Sequence, residues 1–342
     1  MTSRKRKKIC HPYRIPIELI IEILLFTQDS FIFINFRKTS KYYYKELIRH
    51  DRLINKLIFS VYEDNNLSEL SPTSLNYVRN LDCTSFTEMT DELLGKFRQL
   101  KWLNMSRCRQ ITDKSFEHLK GIHTLNMNGC YQETITDKSF KYLEGIHTLG
   151  MNGCDQETIT DKSFQYLKGI HALDISWCEQ ITDKSFKYLK GIHTLNMSGC
   201  KQITDKSFKY LKGIHTLNMI GCKQITDRSF KYLKGIHTFN IHGCRQITDK
   251  SFKHLKGIYT LNMSWCEQIT DKSFKYLKGI HTLNMSGCIK ITDKSFKHLK
   301  GIHTLNIHVC RQITDKSFKY LKGIHTLNMS GCRKIADKIK ID

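Results

Sequence analysis

Acidic residues are scarce in this chain: 32 Asp and Glu stand against 55 Lys and Arg, for a net charge of +23. Proline is nearly missing, with 3 residues in 342, while Lys, Ile, Asn and Tyr abound, as AT-rich coding sequence would give. No C-x-x-C occurs, which excludes the zinc sites that such pairs form, those of ring-type ubiquitin ligases included. There is no G-x-S-x-G, no phosphate loop and no H-E-x-x-H, so the chain is not expected to be an enzyme, and no cofactor or metal is expected. No uninterrupted apolar run reaches the ~18 residues of a membrane span. The apolar stretch near the N-terminus is broken by Glu18 and Glu22 and lacks a small-residue cleavage site, so it does not read as a signal peptide.

What is present is repetition. A unit of 22 residues, cleanest at 181–202 as ITDKSFKYLKGIHTLNMSGCKQ, recurs from about residue 108 onward, with weaker copies from about residue 75. A fixed period of this size marks a solenoid. In that unit Leu195-Asn196-Met197 alternates in, out, in, which is strand periodicity. Thr182 or Asp183 offers an N-cap, Phe186 and Leu189 lie three apart, and Gly191 gives a stop, which together predict a short helix. One unit cannot bury its own apolar stripe, but stacked copies make a continuous core. Strands stack at about 4.8 Å, helices at about 10 Å, so the stack is expected to curve with its strands on the concave side.

The cysteines follow the same period. Eleven of the thirteen form one column, Cys108, Cys130, Cys154, Cys178, Cys200, Cys222, Cys244, Cys266, Cys288, Cys310 and Cys332. Their intervals are 22, except for two of 24 where Glu133-Thr134 and Glu157-Thr158 are inserted. All point into the core, where free Cys acts as a small buried hydrophobe, and a reducing, intracellular compartment follows. The pattern of Leu189, Ile192, Leu195, Met197, Cys200, Ile203, Thr204 and Asp205 resembles the cysteine-containing leucine-rich repeats. The fold class expected is therefore an α/β solenoid, a curved horseshoe of about twelve units of 22–24 residues, preceded by a small all-α part. Counting from Val78 gives twelve strands, the last centred on Leu327 to Met329. After it the unit decays through Ile335-Ala336-Asp337, leaving an end expected to be only partly closed, free to fray or to pair with another copy.

The N-terminal stretch has a different character. Arg4 to Lys8 reads as a weak nuclear signal or a solvated basic tail, leaving cytoplasm and nucleus both open. Pro16 can open a helix over Ile17 to Phe26 that is apolar around all but the narrow Glu18/Glu22 stripe. Two more short helices are expected after Ser30 and after Ser40. Such a bundle is marginal alone and needs cover, from a partner or from the first repeat. Ile15-Pro16-Ile17-Glu18-Leu19-Ile20, the Ile23-Leu24 step and Arg37 to Tyr43 resemble the F-box, with Ile15, Thr39 and Tyr43 departing from its usual Leu, Val and Trp. The expected division is a basic tail at 1–14, the F-box at 15–55, a polar linker at 56–74 and the solenoid at 75–342. The whole is similar to F-box and leucine-rich-repeat proteins, and the freshly multiplied units look like those of giant DNA viruses that infect amoebae.

That resemblance implies a substrate-recognition subunit of an SCF-type ubiquitin ligase, docking on a Skp-type adaptor, and through it a cullin, by Pro16, Ile17, Leu19, Ile20, Ile23 and Leu24. A scaffold with no ubiquitin-ligase role remains the alternative. Target-binding residues are expected where copies differ, just after the strand: Trp177, Glu179, Ile220, His242, Arg245, Trp265, Glu267, His308 and Arg311. Because 176–200 reappear verbatim as 264–288, Trp265 is equally readable as a simple copy. The Thr/Asn floor of the strands is taken as uniform. A nucleic-acid surface is disfavoured, since the Lys excess follows from multiplying Lys184, Lys187 and Lys190, with no aromatic or Arg column interleaved. Finally, His123, His147, His171, His193, His215, His237, His281, His303 and His325 recur at one position, with Tyr259 in the same file, and are expected to stack rather than to bind metal.

Overall fold

The computed structural model describes residues 58–60, 75 and 78–335. The expectations for 15–55 and for the decaying unit beyond Ile335 lie outside them. Strands of three residues recur once per unit: β1 Ile58–Ser60, β2 Asn80–Asp82, β3 Trp102–Asn104, β4 Thr124–Asn126, β5 Thr148–Gly150, β6 Ala172–Asp174 and β7 Thr194–Asn196. They continue as β8 Thr216–Asn218, β9 Thr238–Asn240, β10 Thr260–Asn262, β11 Thr282–Asn284, β12 Thr304–Asn306 and β13 Thr326–Asn328. All pair parallel in sequence order, so the described residues form one open sheet of thirteen strands with β1 and β13 at its edges. That is one strand more than the repeat count gave. The extra strand, β1, lies inside the stretch expected to be a linker and pairs Phe59 with Leu81.

The interior is built from the repeat positions alone. In the unit around β7, Phe186, Leu189, Ile192, Leu195, Met197 and Cys200 are all buried, as are their equivalents in neighbouring units, forming one continuous cluster. Thr194 and Asn196 stay half-buried on the outer strand face. Strand ends are fixed by the Asn: Asn196 Oδ1 accepts from the Ser198 N–H at 3.2 Å and the Ser198 hydroxyl at 2.7 Å. Such local bonds compete with continued pairing and turn the chain.

The helices are mostly of a tighter kind than expected. Two short α-helices open the series, Asp91–Leu94 and Asp113–Phe116, but later units use 3-10 turns such as Asp205–Tyr210. The buried pair of each turn is three residues apart, and a helix of three residues per turn puts both on the same side. Thr204 caps that turn, accepting from the Lys206 N–H at 3.3 Å, and Gly213, at φ +83°, ends the segment. Adjacent turns are tied through Asp183, whose carboxylate accepts from the Thr204 N–H at 2.8 Å, the Thr204 hydroxyl at 2.6 Å and the Ser207 hydroxyl. At the equivalent Asp91, burial opposes ionisation, but hydrogen bonds from Ser115 and Thr112 outweigh it and hold the carboxyl below its ordinary range. In the longer units the buried Gln156 reaches under the turn to donate to the Cys130 carbonyl at 3.1 Å.

Candidate interaction surface

Each strand is followed by a turn whose residue just before the Cys takes a left-handed conformation. Most copies place Gly there, for example Gly199 at φ +73° and Gly221 at φ +67°. Trp177 and Trp265 occupy the same position at φ 61° and 59°, as does the β-branched Val309 at 59°. This region is costly for bulky or β-branched side chains. Despite that cost both indoles are largely in solvent, Trp177 being 56% and Trp265 47% exposed. Each ring lies over the Gly of the next unit, so that a Cβ on Gly199 would come within 2.8 Å of the Trp177 ring. Beside Trp177 a cavity of about 380 Å³ is lined by Gly199, Lys201, Ile220, Gly221, Lys223 and Gln224 as well as the indole.

The other expected target-binding residues lie along the same ridge. Glu179 pairs with Lys201 at 2.6 Å, and Arg245 approaches Glu267 at 3.9 Å. His242 Nδ1 lies 2.6 Å from the Ser264 hydroxyl, and His308 Nδ1 2.8 Å from that of Ser330. Arg311 is exposed. Trp177 and Ile220 therefore share one cavity, Glu179 is tied to it through Lys201, and the remaining residues are strung out along the units that follow. Pro16, Ile17, Leu19, Ile20, Ile23 and Leu24 lie outside the described residues.

Three repeating columns surround this ridge. The histidines stack, with ring centroids 4.5 Å apart between His193 and His215 and 4.6 Å between His303 and His325, Tyr259 continuing the file. Except at His171, which precedes Ala172, each Nδ1 faces the hydroxyl of the following Thr, as His193 does Thr194 at 3.2 Å. Partial desolvation, then the neighbouring rings, push His147, His193 and His303 below the ordinary imidazole pKa. The described cysteines are free and buried. Burial pushes the Cys200 and Cys244 thiols up to about 12, and Cys200 Sγ donates to the Ile175 carbonyl at 3.0 Å. On the helical face an aromatic column does interleave with the lysines, contrary to the sequence expectation. Half-buried Tyr188 and Tyr210 carry Lys187 and Lys209 over their rings at 4.8 and 4.9 Å. Covered in this way, the rings are not open stacking platforms.

The strand face holds a feature that sequence reading missed. Its floor is Thr-x-Asn in every strand from β7 to β13, but β3 carries Trp102, β5 ends in Gly150, and β6 has Ala172 and Asp174. These residues line a hollow of about 360 Å³ extending from β3 to β7. The copies depart from one another in the strand as well as around the Cys, and that signal was available. It is weak because two of the departures, Gly150 and Ala172, are losses of side chain. Among the described residues no group of three or more His, Cys, Asp or Glu could hold a metal ion, and no helix is long and apolar enough to cross a membrane.

A parallel sheet of repeated strand-and-turn units with a continuous leucine, isoleucine and phenylalanine core defines a leucine-rich-repeat solenoid, a class of protein-interaction scaffold. More particularly, the profile of the BspA type leucine rich repeat region matches residues 87–215 and 201–325, and the chain belongs to that family. No curated protein matches the sequence. Among solved structures the chain is similar to that of the yeast Rad7 and Elc1 complex, with 16% identity and a TM-score of 0.57 over 94% of this chain and 93% of that one. It is similar to an internalin, InlF, of Listeria monocytogenes, with 18% identity and a TM-score of 0.54 over 74% and 73%. In the TLR13–ssRNA13 complex it matches 55% of the TLR13 chain, covering 81% of its own length at 14% identity and a TM-score of 0.54. At these identities the likeness is one of fold.

Proposed function

We propose that the chain is the substrate-recognition subunit of an SCF-type ubiquitin ligase. In this reading residues 15–55 form an F-box that docks on a Skp-type adaptor, and the solenoid holds the target protein. The observation that carries the recognition half is Trp177: a large apolar side chain held in a left-handed backbone, mostly in solvent, beside an open cavity. A scaffold copied with Gly at this turn has no structural need of Trp there, and backbone strain of this kind collects at binding sites. Trp is also the side chain most often found anchoring interfaces. The adaptor half is supported by the resemblance of Ile15 to Ile20, Ile23-Leu24 and Arg37 to Tyr43 to the F-box. A similar solenoid, that of Rad7, is solved in complex with a second protein, Elc1.

The chain would act by proximity. Holding a target on the solenoid while the F-box holds the adaptor raises the effective concentration of target lysines near a charged conjugating enzyme, to about the millimolar range for short connections. The test replaces Ile20 and Leu24 with Asp and measures co-purification with a Skp-type adaptor. Charge on a desolvated helix face costs several kcal/mol, of the order of 2–7 even for uncharged polar groups, so adaptor binding is expected to vanish while the solenoid keeps its circular dichroism. Adaptor binding at full strength in the double variant would overturn the F-box assignment, and no adaptor binding by the parent would leave the chain a scaffold without ligase function.

A further inference from the structure

The strand-face hollow points to the chemistry of the partner. β5 and β6 pair in register, Thr148 with Ala172 and Gly150 with Asp174, and Asn126 of β4 faces Gly150 from the other side. The side chain missing at Gly150 therefore opens a gap with a carboxylate on one flank and an amide on the other. The amide oxygens turn toward the gap: a Cβ at Gly150 would lie 3.2 Å from both Asn126 Oδ1 and Asn128 Oδ1. Asp174 is held in place by its neighbours. Its Oδ1 accepts from the Ser176 N–H at 2.9 Å and the Ser176 hydroxyl at 2.5 Å, and its Oδ2 from Asn196 Nδ2 at 3.0 Å. An ionised carboxylate offers about four acceptor sites, so Oδ2 retains one. No Lys or Arg lines the hollow. In a chain of net charge +23, this is a fixed, half-buried carboxylate in a hollow lined by neutral groups and no cation.

We infer that the hollow binds a Lys or Arg side chain presented by an extended segment of a partner protein, with the cationic head at Asp174. The inference rests on the reading of the solenoid as a recognition surface, names the partner's chemistry, and is independent of the adaptor. A single side chain does not satisfy the whole hollow. Trp102 lies three strands from Asp174, about 14 Å at ~4.8 Å per strand. Spanning that distance takes roughly four or five extended residues, which identifies the ligand as a peptide segment rather than a free amino acid. Trp102 then offers a ring face to an apolar or second cationic side chain of the same segment. The outer Lys face is on the opposite side of the sheet, and salt screening over about 8 Å keeps it from repelling the incoming cation.

The repeats supply well-behaved variants, because each departure can be returned to the residue of the other copies. A random decapeptide library displayed on phage is selected against the full chain, against Asp174→Asn, and against Gly150→Asn/Ala172→Thr. The parent should enrich peptides with Lys or Arg at one fixed position. Asp174→Asn should lower their enrichment about tenfold or more, the equivalent of losing a hydrogen bond between charged groups. Filling the hollow with Asn and Thr should abolish enrichment, and raised salt should weaken it in the parent. The Ile20/Leu24 double variant should select the same peptides as the parent, whatever happens to adaptor binding. Parent-selected peptides without a basic position, undiminished enrichment on Asp174→Asn, or no enrichment above the filled chain would each overturn the inference.

Discussion

At the scale of single residues, Trp177 is the departure with the clearest physical signature. Its backbone sits at φ 61° in a position that most copies fill with Gly, Ser85, Arg107, Trp265 and Val309 being the other exceptions. Replacing it separates two effects that are usually mixed. Trp177→Ala keeps a Cβ in the left-handed region, at a cost of roughly 1–2 kcal/mol, whereas Trp177→Gly relieves it. The Gly variant should therefore be at least as stable as the Ala variant, by about 1 kcal/mol in urea unfolding. A Trp belonging to the core would instead lose about 3–5 kcal/mol on truncation, with Gly the worse of the two. Gly199 is bound to the same arrangement, since the indole occupies the space its Cβ would need. The sequence showed Trp177 as a departure, but not its backbone strain, because nothing in the residue's identity states that the turn is left-handed. The Gly residues in the other copies do state it, once the copies are aligned.

At the scale of elements, strand positions were legible because alternation in Leu-Asn-Met admits one assignment. Helix type was not. The run of eight residues between Thr204 and Gly213, with Phe208 and Leu211 three apart, suits either α or 3-10 geometry, and only packing between units decides. The Tyr column was overlooked for a similar reason: Tyr188 reads as a helix-surface residue until Lys187 is seen folded over it. The stacking of the His column was read correctly, and it is expected to make the strand edge sensitive to acid. Partial desolvation and adjacent rings lower the folded-state pKa of His147, His193 and His303. For a base depressed on folding, the unfolded chain binds more protons. Stability is then fully present at high pH and falls as pH drops through the unfolded value near ~6.5. His254 and His298, lowered by burial and by neighbouring Lys residues, act in the same direction. The urea midpoint should be lower at pH 5.5 than at 7.5, and Asn at His147, His193 and His303 should remove part of that difference. Equal midpoints for the parent at both pH values would contradict the stacking effect.

At the scale of the whole molecule, the solenoid is a nearly uniform frame whose stability is a sum over similar units and the contacts between neighbours. The same Asp–Thr hydrogen bonds recur between the turns, and the same thiol-to-carbonyl contacts recur in the core. Uniformity made the fold readable from the 22-residue period, while β1 was missed because Ile58–Ser60 lacks the repeat's pattern on either side. Against this uniformity the places where copies differ stand out, and three of them, Ala172, Asp174 and Trp177, fall in one unit, with Gly150 paired beside it. A surface that repeats identically cannot tell one partner from another by position, so a partner must be recognised at the departures.

That claim has a direct test. The fourfold variant Gly150→Asn, Ala172→Thr, Asp174→Asn and Trp177→Gly returns all four positions to the residues of the other copies. Proteins captured by the parent and by the variant from one cell extract are quantified side by side, and the urea midpoint of each chain is measured. Each change restores a residue that other copies carry, and relief of the left-handed backbone at residue 177 is worth roughly 1–2 kcal/mol, so the variant's midpoint should be no lower than the parent's while the parent's captured partners are lost from it. Partners retained in unchanged amounts by a variant of undiminished stability would contradict the account.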